Sequence, residues 1–145
     1  MRISWDEFDT YCMKLSQQIR QSGKKLKYIV GVERGGLCLA VTLSHKLCLQ
    51  YCDIETAAFF PPEEVLVVDD INDTGNTLSG LVQKGYSTAV LLTRYSSPLL
   101  TTFSGGMVMD DAWVIFPWEG TYEDTLTDII KNKYQVEVRK INKCK

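Results

Sequence analysis

The sequence predicts an α/β domain: a central, mostly parallel sheet flanked by helices. Short apolar runs rich in strand formers alternate with stretches of helical periodicity, the pattern of strand–helix–strand units. Val65-Leu66-Val67-Val68 is apolar at every position, as in a strand covered on both faces of a parallel sheet. Two of these runs, at 27–32 and 65–68, lead straight into polar, glycine-containing segments. In such sheets the loops at the carboxyl ends of the strands bind ligands. At 145 residues the chain (1–145) is long enough to bury one real core and too short for two.

Taken in order, Ser4-Trp5-Asp6-Glu7 reads as a capping box that opens a helix. Phe8, Cys12, Leu15 and Ile19 then recur at helical spacing, and Gly23 ends the element. A strand is expected at 27–32 (KYIVGV), then Glu33-Arg34-Gly35-Gly36, then a helix over about 37–49. A second strand is expected over 54–60, broken by Pro61-Pro62. The strand at 65–68 leads into a polar loop over 69–76 and a helix over about 77–84. Another strand is expected over about 88–93. A turn-rich stretch precedes a strand at Trp113-Val114-Ile115-Phe116, which Pro117 stops. A helix over 122–133 and an alternating tail complete the reading, with no clear role for 132–145.

Composition narrows the function classes. Hydrophobic residues at 45% and charged residues at 23% exclude a disordered chain. A net charge of -2 and a pI near 5.4 argue against a nucleic-acid binder that works by neutralising phosphates. No apolar run approaches the roughly 20 residues needed to span a bilayer. The N-terminus lacks the layout of a signal peptide, and the five cysteines include no CxxC pair. They read as reduced thiols in a cytoplasmic protein. His45, the single histidine, leaves zinc chemistry little to work with.

The most informative segment is VLVVDDINDTGNTL, at 65–78. A buried strand ends in two acids, then Asp73-Thr74-Gly75-Asn76-Thr77 enters a helix. Gly75 permits a positive φ or a close ligand approach. Successive loop amides and the helix N-terminus make an anion nest, and Thr74 and Thr77 add hydroxyl donors. Acids beside a phosphate cradle make sense if the ligand also brings hydroxyl donors or a magnesium ion. A ribose 5-phosphate unit offers a diol and a phosphate together. Neither GxxxxGK[ST] nor a strand-borne GxGxxG is present. A receiver domain of signalling proteins also carries an acidic pair after a strand, but near its start and without a DTGNT loop.

This string resembles the signature of type I phosphoribosyltransferases, which bind phosphoribosyl pyrophosphate (PRPP). The resemblance implies that fold, with a small hood from the chain ends. It implies that Asp69 and Asp70 hold the ribose hydroxyls, with Asp70 also near magnesium, and that Asp73, Thr74, Gly75, Asn76 and Thr77 bind the 5-phosphate. Asp73 would also accept the proton from purine N7 during transfer. In the same family an arginine–glycine–glycine loop binds pyrophosphate. Here that role would fall to Arg34 and Gly35, with Glu33 pointing away and a strained or cis peptide in the loop.

Trp113-Val114-Ile115-Phe116-Pro117-Trp118-Glu119 resembles the base-binding segment of the 6-oxopurine branch, the xanthine–guanine type having WxxxPW[DE]. By that resemblance Trp113 stacks on the purine and the Val114 backbone addresses the ring edge. Glu119 lies near magnesium or the exocyclic group, and Trp118 is core. Arg94 stands where relatives have a lysine that donates to the purine 6-oxygen, although Tyr95 could occupy that place instead. WDEFDTYCMKL and GVERGGL also resemble the xanthine–guanine type, so the likeness runs from about Trp5 to Glu119.

The implied activity is transfer of the phosphoribosyl group from PRPP to N9 of guanine, xanthine or hypoxanthine. Pyrophosphate and a nucleoside monophosphate are released, with Mg2+ as cofactor and a homodimer or homotetramer as the assembly. The family's long mobile loop between the second and third strands has almost no room in Phe59-Phe60-Pro61-Pro62-Glu63-Glu64. Water would then be excluded by another segment or subunit. That shortness favours an alternative on the same fold, a non-catalytic sensor of PRPP or nucleotides.

Overall fold

A computed structural model describes residues 1–120. Helix α1 (Trp5–Gln21) opens with the expected capping box: Ser4 Oγ accepts from the Glu7 amide at 3.1 Å, and Glu7 accepts from the Ser4 amide at 2.7 Å. Strand β1 (Tyr28–Gly31) leads to α2 (Gly36–Leu47). Then come β2 (Gln50–Tyr51), α3 (Ile54–Ala57) and a 3-10 turn at Pro62–Glu64. Strand β3 (Val65–Asn72), α4 (Asn76–Gln83), β4 (Ser87–Arg94) and β5 (Phe103–Val108) complete the described elements.

The five strands form one sheet in the order β2-β1-β3-β4-β5, and every pairing is parallel. Successive residues of β3 serve opposite layers. Leu66 and Val68 join Phe8, Leu15, Leu39, Leu43 and Leu91 under α1 and α2. Val65 and Val67 join Val30, Val90, Ala57 and Leu78 under α3 and α4. The continuous apolar run at 65–68 therefore reports burial on both faces, as expected of a parallel sheet.

Four expectations need correction. The segment 54–60 is not a strand. Asp53 accepts from the Thr56 amide at 2.7 Å and caps the short helix α3, so side-chain capping overrides the β-forming composition. The pairing in this region shrinks to Gln50–Tyr51. Next, β3 does not stop at Val68. It stays paired with β4 as far as Asn72, so the acids lie on the strand rather than in a loop. Third, the stretch before Trp113 contains a strand, β5, despite its Ser104-Gly105-Gly106. Those glycines lie under Tyr11 of α1 rather than in a turn.

The fourth correction concerns 113–116, which holds a single bridge, Ile115 to Arg2, rather than a strand of the sheet. The amide of Ile3 donates to Ile115 O and the amide of Ile115 to Met1 O, so the chain start supports this segment. The expected helix over 122–133 and the alternating tail lie outside the described residues. No helix among the described residues is long and apolar enough to cross a membrane.

Leu91 is fully buried between sheet and helices. Replacing it with Ala should cost about 2–5 kcal/mol, from lost burial plus the cavity left behind. Urea unfolding measures this, and a loss below about 1 kcal/mol would contradict close packing of that layer.

Candidate functional site

The strand order reverses between β1 and β3, and in open parallel sheets ligands bind outside the carboxyl ends of strands at such a point. Pairing between β1 and β3 ends at Gly31 with Val68, and one more bond lies beyond it, from the Val32 amide to Val68 O at 2.9 Å. From there β3 continues for four residues with β4 alone as its ladder partner. The edge of Asp69–Asn72 that β1 leaves faces the 33–36 loop.

That loop sits tightly on the acids. A Cβ on Gly35 would collide with the Asp70 carboxylate, so only glycine lets the backbone come this close. The Glu33–Arg34 peptide is cis, as the resemblance implied. Arg34 and Gly35 line a cleft of about 760 Å3 with Asp70, Trp113, Trp118 and Glu119. Glu33 lines a separate cavity of about 280 Å3, with Tyr51, Ile54 and Thr77. Glu33 thus lines a different hollow from the arginine beside it.

Asp69 is buried and Asp70 half-buried, each held by a local backbone bond. The Asp70 amide donates to Asp69 Oδ1 at 2.9 Å and the Ile71 amide to Asp70 Oδ1 at 2.7 Å. Both carboxyls titrate above the ordinary range. Asp69 is pushed up to about 7, first by burial and then by the charge of Asp70. Burial also raises Asp70, with the charge of Glu119 adding to it. Two buried like charges favour a cation or a set of hydroxyl donors.

The phosphate-loop candidates come next on the same strand. Gly75 takes φ 82° just before α4, a conformation open to glycine at little cost. Asp73, Thr74, Gly75 and Thr77 line a small hollow of about 50 Å3 at the N-terminus of α4. Asn76 is the first residue of α4, and its amide donates to Thr74 Oγ1 at 3.3 Å. The buried Asn72 ties this loop to the β4–β5 connection. Its Nδ2 donates to Leu99 O at 2.8 Å, and Ser97 Oγ donates to its Oδ1 at 3.0 Å. Nothing in the sequence singles out Asn72, which reads as one more polar loop residue. The strand placement that makes it a strut shows only in the ladder with β4.

The base-side candidates are placed less uniformly. Trp113 is 78% exposed at the cleft, with its ring available. Val114 is half-buried and packs on the main core. Trp118 stacks on Phe116 at 5.0 Å and meets Phe8 edge-on, so it is a packing residue that also walls the cleft. Glu119 faces the cleft, but its Oε2 already accepts from the Phe116 amide at 2.9 Å. Arg94 is engaged elsewhere: its Nε pairs with Asp73 Oδ1 at 2.9 Å and its Nη1 donates to backbone carbonyls. Tyr95, the other candidate for its place, is exposed.

Among the described residues no group of three or more His, Cys, Asp or Glu converges as a protein-only metal site would. The donor set does fit magnesium, which keeps several waters and needs only one or two carboxylates beside substrate phosphates. Asp70 and Glu119, which line the same cleft, are the groups that would hold it.

Asp69 yields a pH prediction. Its carboxyl titrates near 7 in the fold and near the usual ~3.9 in the unfolded chain. The folded state therefore holds a proton that the unfolded chain has released. The contribution of Asp69 to stability should be full below about pH 4 and fall as the pH rises to about 7. Urea midpoints without ligand or divalent cation should drop in that window, and Asp69→Asn should flatten the drop. A wild-type midpoint that stays level would refute the burial argument.

No protein-family model matches the chain. Its structure is similar to a purine phosphoribosyltransferase from Pyrococcus horikoshii, at 26% identity and a TM-score of 0.68, over 83% of this chain and 94% of that one. It is similar to a xanthine-guanine-hypoxanthine phosphoribosyltransferase from Helicobacter pylori, at 23% identity and 0.68, over 87% and 97%. It is also similar to a hypothetical protein from Neisseria gonorrhoeae with bound ppGpp, at 19% identity and 0.68, over 92% and 97%. The chain has the α/β fold of the type I phosphoribosyltransferases.

Proposed function

We propose that this protein is a purine phosphoribosyltransferase that joins the 5-phosphoribosyl group of PRPP to N9 of a 6-oxopurine. The observation that carries the proposal is convergence at the switch point. An arginine–glycine loop, the half-buried Asp70 and an exposed tryptophan share one cleft, with the buried Asp69 next to Asp70 on β3 and a hollow at the start of α4 lined by Asp73, Thr74, Gly75 and Thr77. The Pyrococcus horikoshii and Helicobacter pylori neighbours act on purines by their names, which supports the same substrate class here.

In this reading Arg34 binds pyrophosphate through its planar fork, and the amides of the Gly35 turn complete the contact. The loop amides and hydroxyls of Thr74 to Thr77 hold the 5-phosphate. Asp69 and Asp70 hold the ribose diol and set negative charge beside C1, where cationic character grows as the C1–oxygen bond loosens. Trp113 offers its ring face to the purine. Asp73 accepts the proton that the base loses as its N9 bonds to C1. Bound magnesium would neutralise charge on the departing pyrophosphate.

A sensor of PRPP or nucleotides is the second reading. The β2–β3 connection is short, built from α3 and a 3-10 turn, and offers no long segment to close over the cleft. The neighbour with bound ppGpp also supports it. The two readings separate on incubation with Mg2+, PRPP and each of hypoxanthine, guanine, xanthine and adenine. The enzyme makes one or more nucleotides. The sensor binds PRPP and makes none.

Asp73→Asn should lower turnover by roughly 10²–10⁴-fold, far more than it weakens PRPP binding. Equal losses in both would remove the general-base role. Trp113→Ala should weaken binding of the base by about 1–3 kcal/mol through lost stacking. Calorimetry of purine binding in the presence of PRPP measures it, and an unchanged affinity would show that the base sits elsewhere.

A further inference from the structure

Arg94 stands at the end of β4, where the resemblance implies a cation aimed at the purine 6-oxygen. Its surroundings assign it other work. The side chain is mostly buried, with about 12% of its surface exposed. Nε pairs with Asp73 Oδ1 at 2.9 Å. Nη1 donates to three backbone carbonyls: Met109 O at 3.0 Å, Asp110 O at 3.3 Å and Ala112 O at 2.8 Å. These carbonyls curl around one nitrogen and shape the turn that delivers Trp113 to the cleft. The far side of the turn is pinned too, since the Ser96 amide donates to Asp110 Oδ1 at 2.8 Å.

From this geometry we infer that Arg94 is a positioning residue. It fixes the Asp73 carboxylate to the 109–112 turn and so sets the phosphate loop and the tryptophan wall at one spacing, and it does not read the base. The chemistry favours arginine for the task. A guanidinium spreads five donors over a rigid plane, so one side chain can hold a carboxylate by one edge and carbonyls by another. A lysine carries a single nitrogen on a flexible stem and cannot hold Asp73 and three carbonyls at different edges. Arg94 is not among the residues that line the cleft, so reaching a 6-oxygen there would mean drawing the guanidinium away from Asp73 and the carbonyls. Discrimination between oxo and amino purines then falls to other groups of the cleft.

The kinetic part of the test rests on the phosphoribosyl-transfer reading, and a spectroscopic part does not. Transfer to hypoxanthine and to adenine is measured for the wild type, Arg94→Met, Arg94→Lys, Asp73→Asn and Arg94→Met with Asp73→Asn. A positioning residue predicts that Arg94→Met lowers kcat on both bases alike, by roughly 10–100-fold, with their kcat/KM ratio kept within about threefold. Arg94→Lys should rescue little, and Arg94→Met should cost clearly less once Asp73 is already Asn. A base reader predicts that Arg94→Met loses discrimination by about 10²-fold or more and that Arg94→Lys keeps it. Either of these last two results overturns the inference.

The second readout is nuclear magnetic resonance of the ligand-free protein. Both Arg94 variants should shift the Trp113 indole N–H resonance and speed hydrogen exchange at the Ser96 amide. Unchanged spectra overturn the inference even in a fully active enzyme. A wild type that transfers nothing, with these spectral changes present, refutes the transfer reading and leaves the positioning role standing. Should Arg94→Met not fold, Arg94→Lys carries both readouts.

Discussion

The site depends on an inequality of strand length. β3 runs four residues beyond its last ladder pair with β1, while its pairing with β4 continues to Asn72. A strand held on one side and released on the other is rigid and open at once. The acids it carries can be placed accurately without being sealed inside the sheet. The departing β1 turns back at Gly35 and rests its backbone on the Asp70 carboxylate, at a distance that any side chain would prevent. Placing an arginine loop against an acidic strand end thus needs a short β1, a long β3 and glycines at the close approach, since a Cβ on Gly36 would also strike the β3 backbone. Functional sites built on strand ends in this way inherit the precision of the sheet.

The electrostatics of the cleft describe the ligand. Asp69 and Asp70 are raised by burial, which means the fold tolerates their charge poorly without compensation. A few residues further, the Asp73–Thr77 turn and the start of α4 offer amides and hydroxyls suited to an anion. A simple phosphate satisfies only the second demand, and a simple cation only the first. A sugar phosphate that carries a pyrophosphate and its metal, the ligand of the proposed reaction, would meet both, since it offers a diol, a cation and a phosphate together.

Much of this is legible in the sequence, for physical reasons. The run at 65–68 is buried on both faces, so alternation cannot disguise it. The Ser4–Glu7 box shows because capping is local. The DDINDTG string shows because a positive φ after an acidic strand restricts residue choice severely. What stays hidden is non-local. Whether Asp69–Asn72 is strand or loop depends on β4, which lies some twenty residues onward. Ser104-Gly105-Gly106 resembles a turn until Tyr11 is seen lying over it. The run at 113–116 has the composition of a strand, yet its partner is the chain start and not the sheet edge. Asp53 shows the opposite failure, where a single cap outweighs the β-forming residues after it.

The role of Arg94 belongs to the same class of hidden facts. Position along a strand says where a side chain starts, and says nothing about which carbonyls another loop presents to it. With β5 in place, the chain after Val108 returns across the end of β4 and brings Met109, Asp110 and Ala112 within reach of one guanidinium. The same edge of the sheet is closed a second time through Asn72, which binds Leu99 and Ser97 from the β4–β5 connection. Two struts on consecutive residues, Asn72 and Asp73, therefore tie the phosphate loop to the chain on the far side of β4. Short polar links thus run from one wall of the cleft to the other, so the hollow at the start of α4 and the turn that carries Trp113 are mechanically connected.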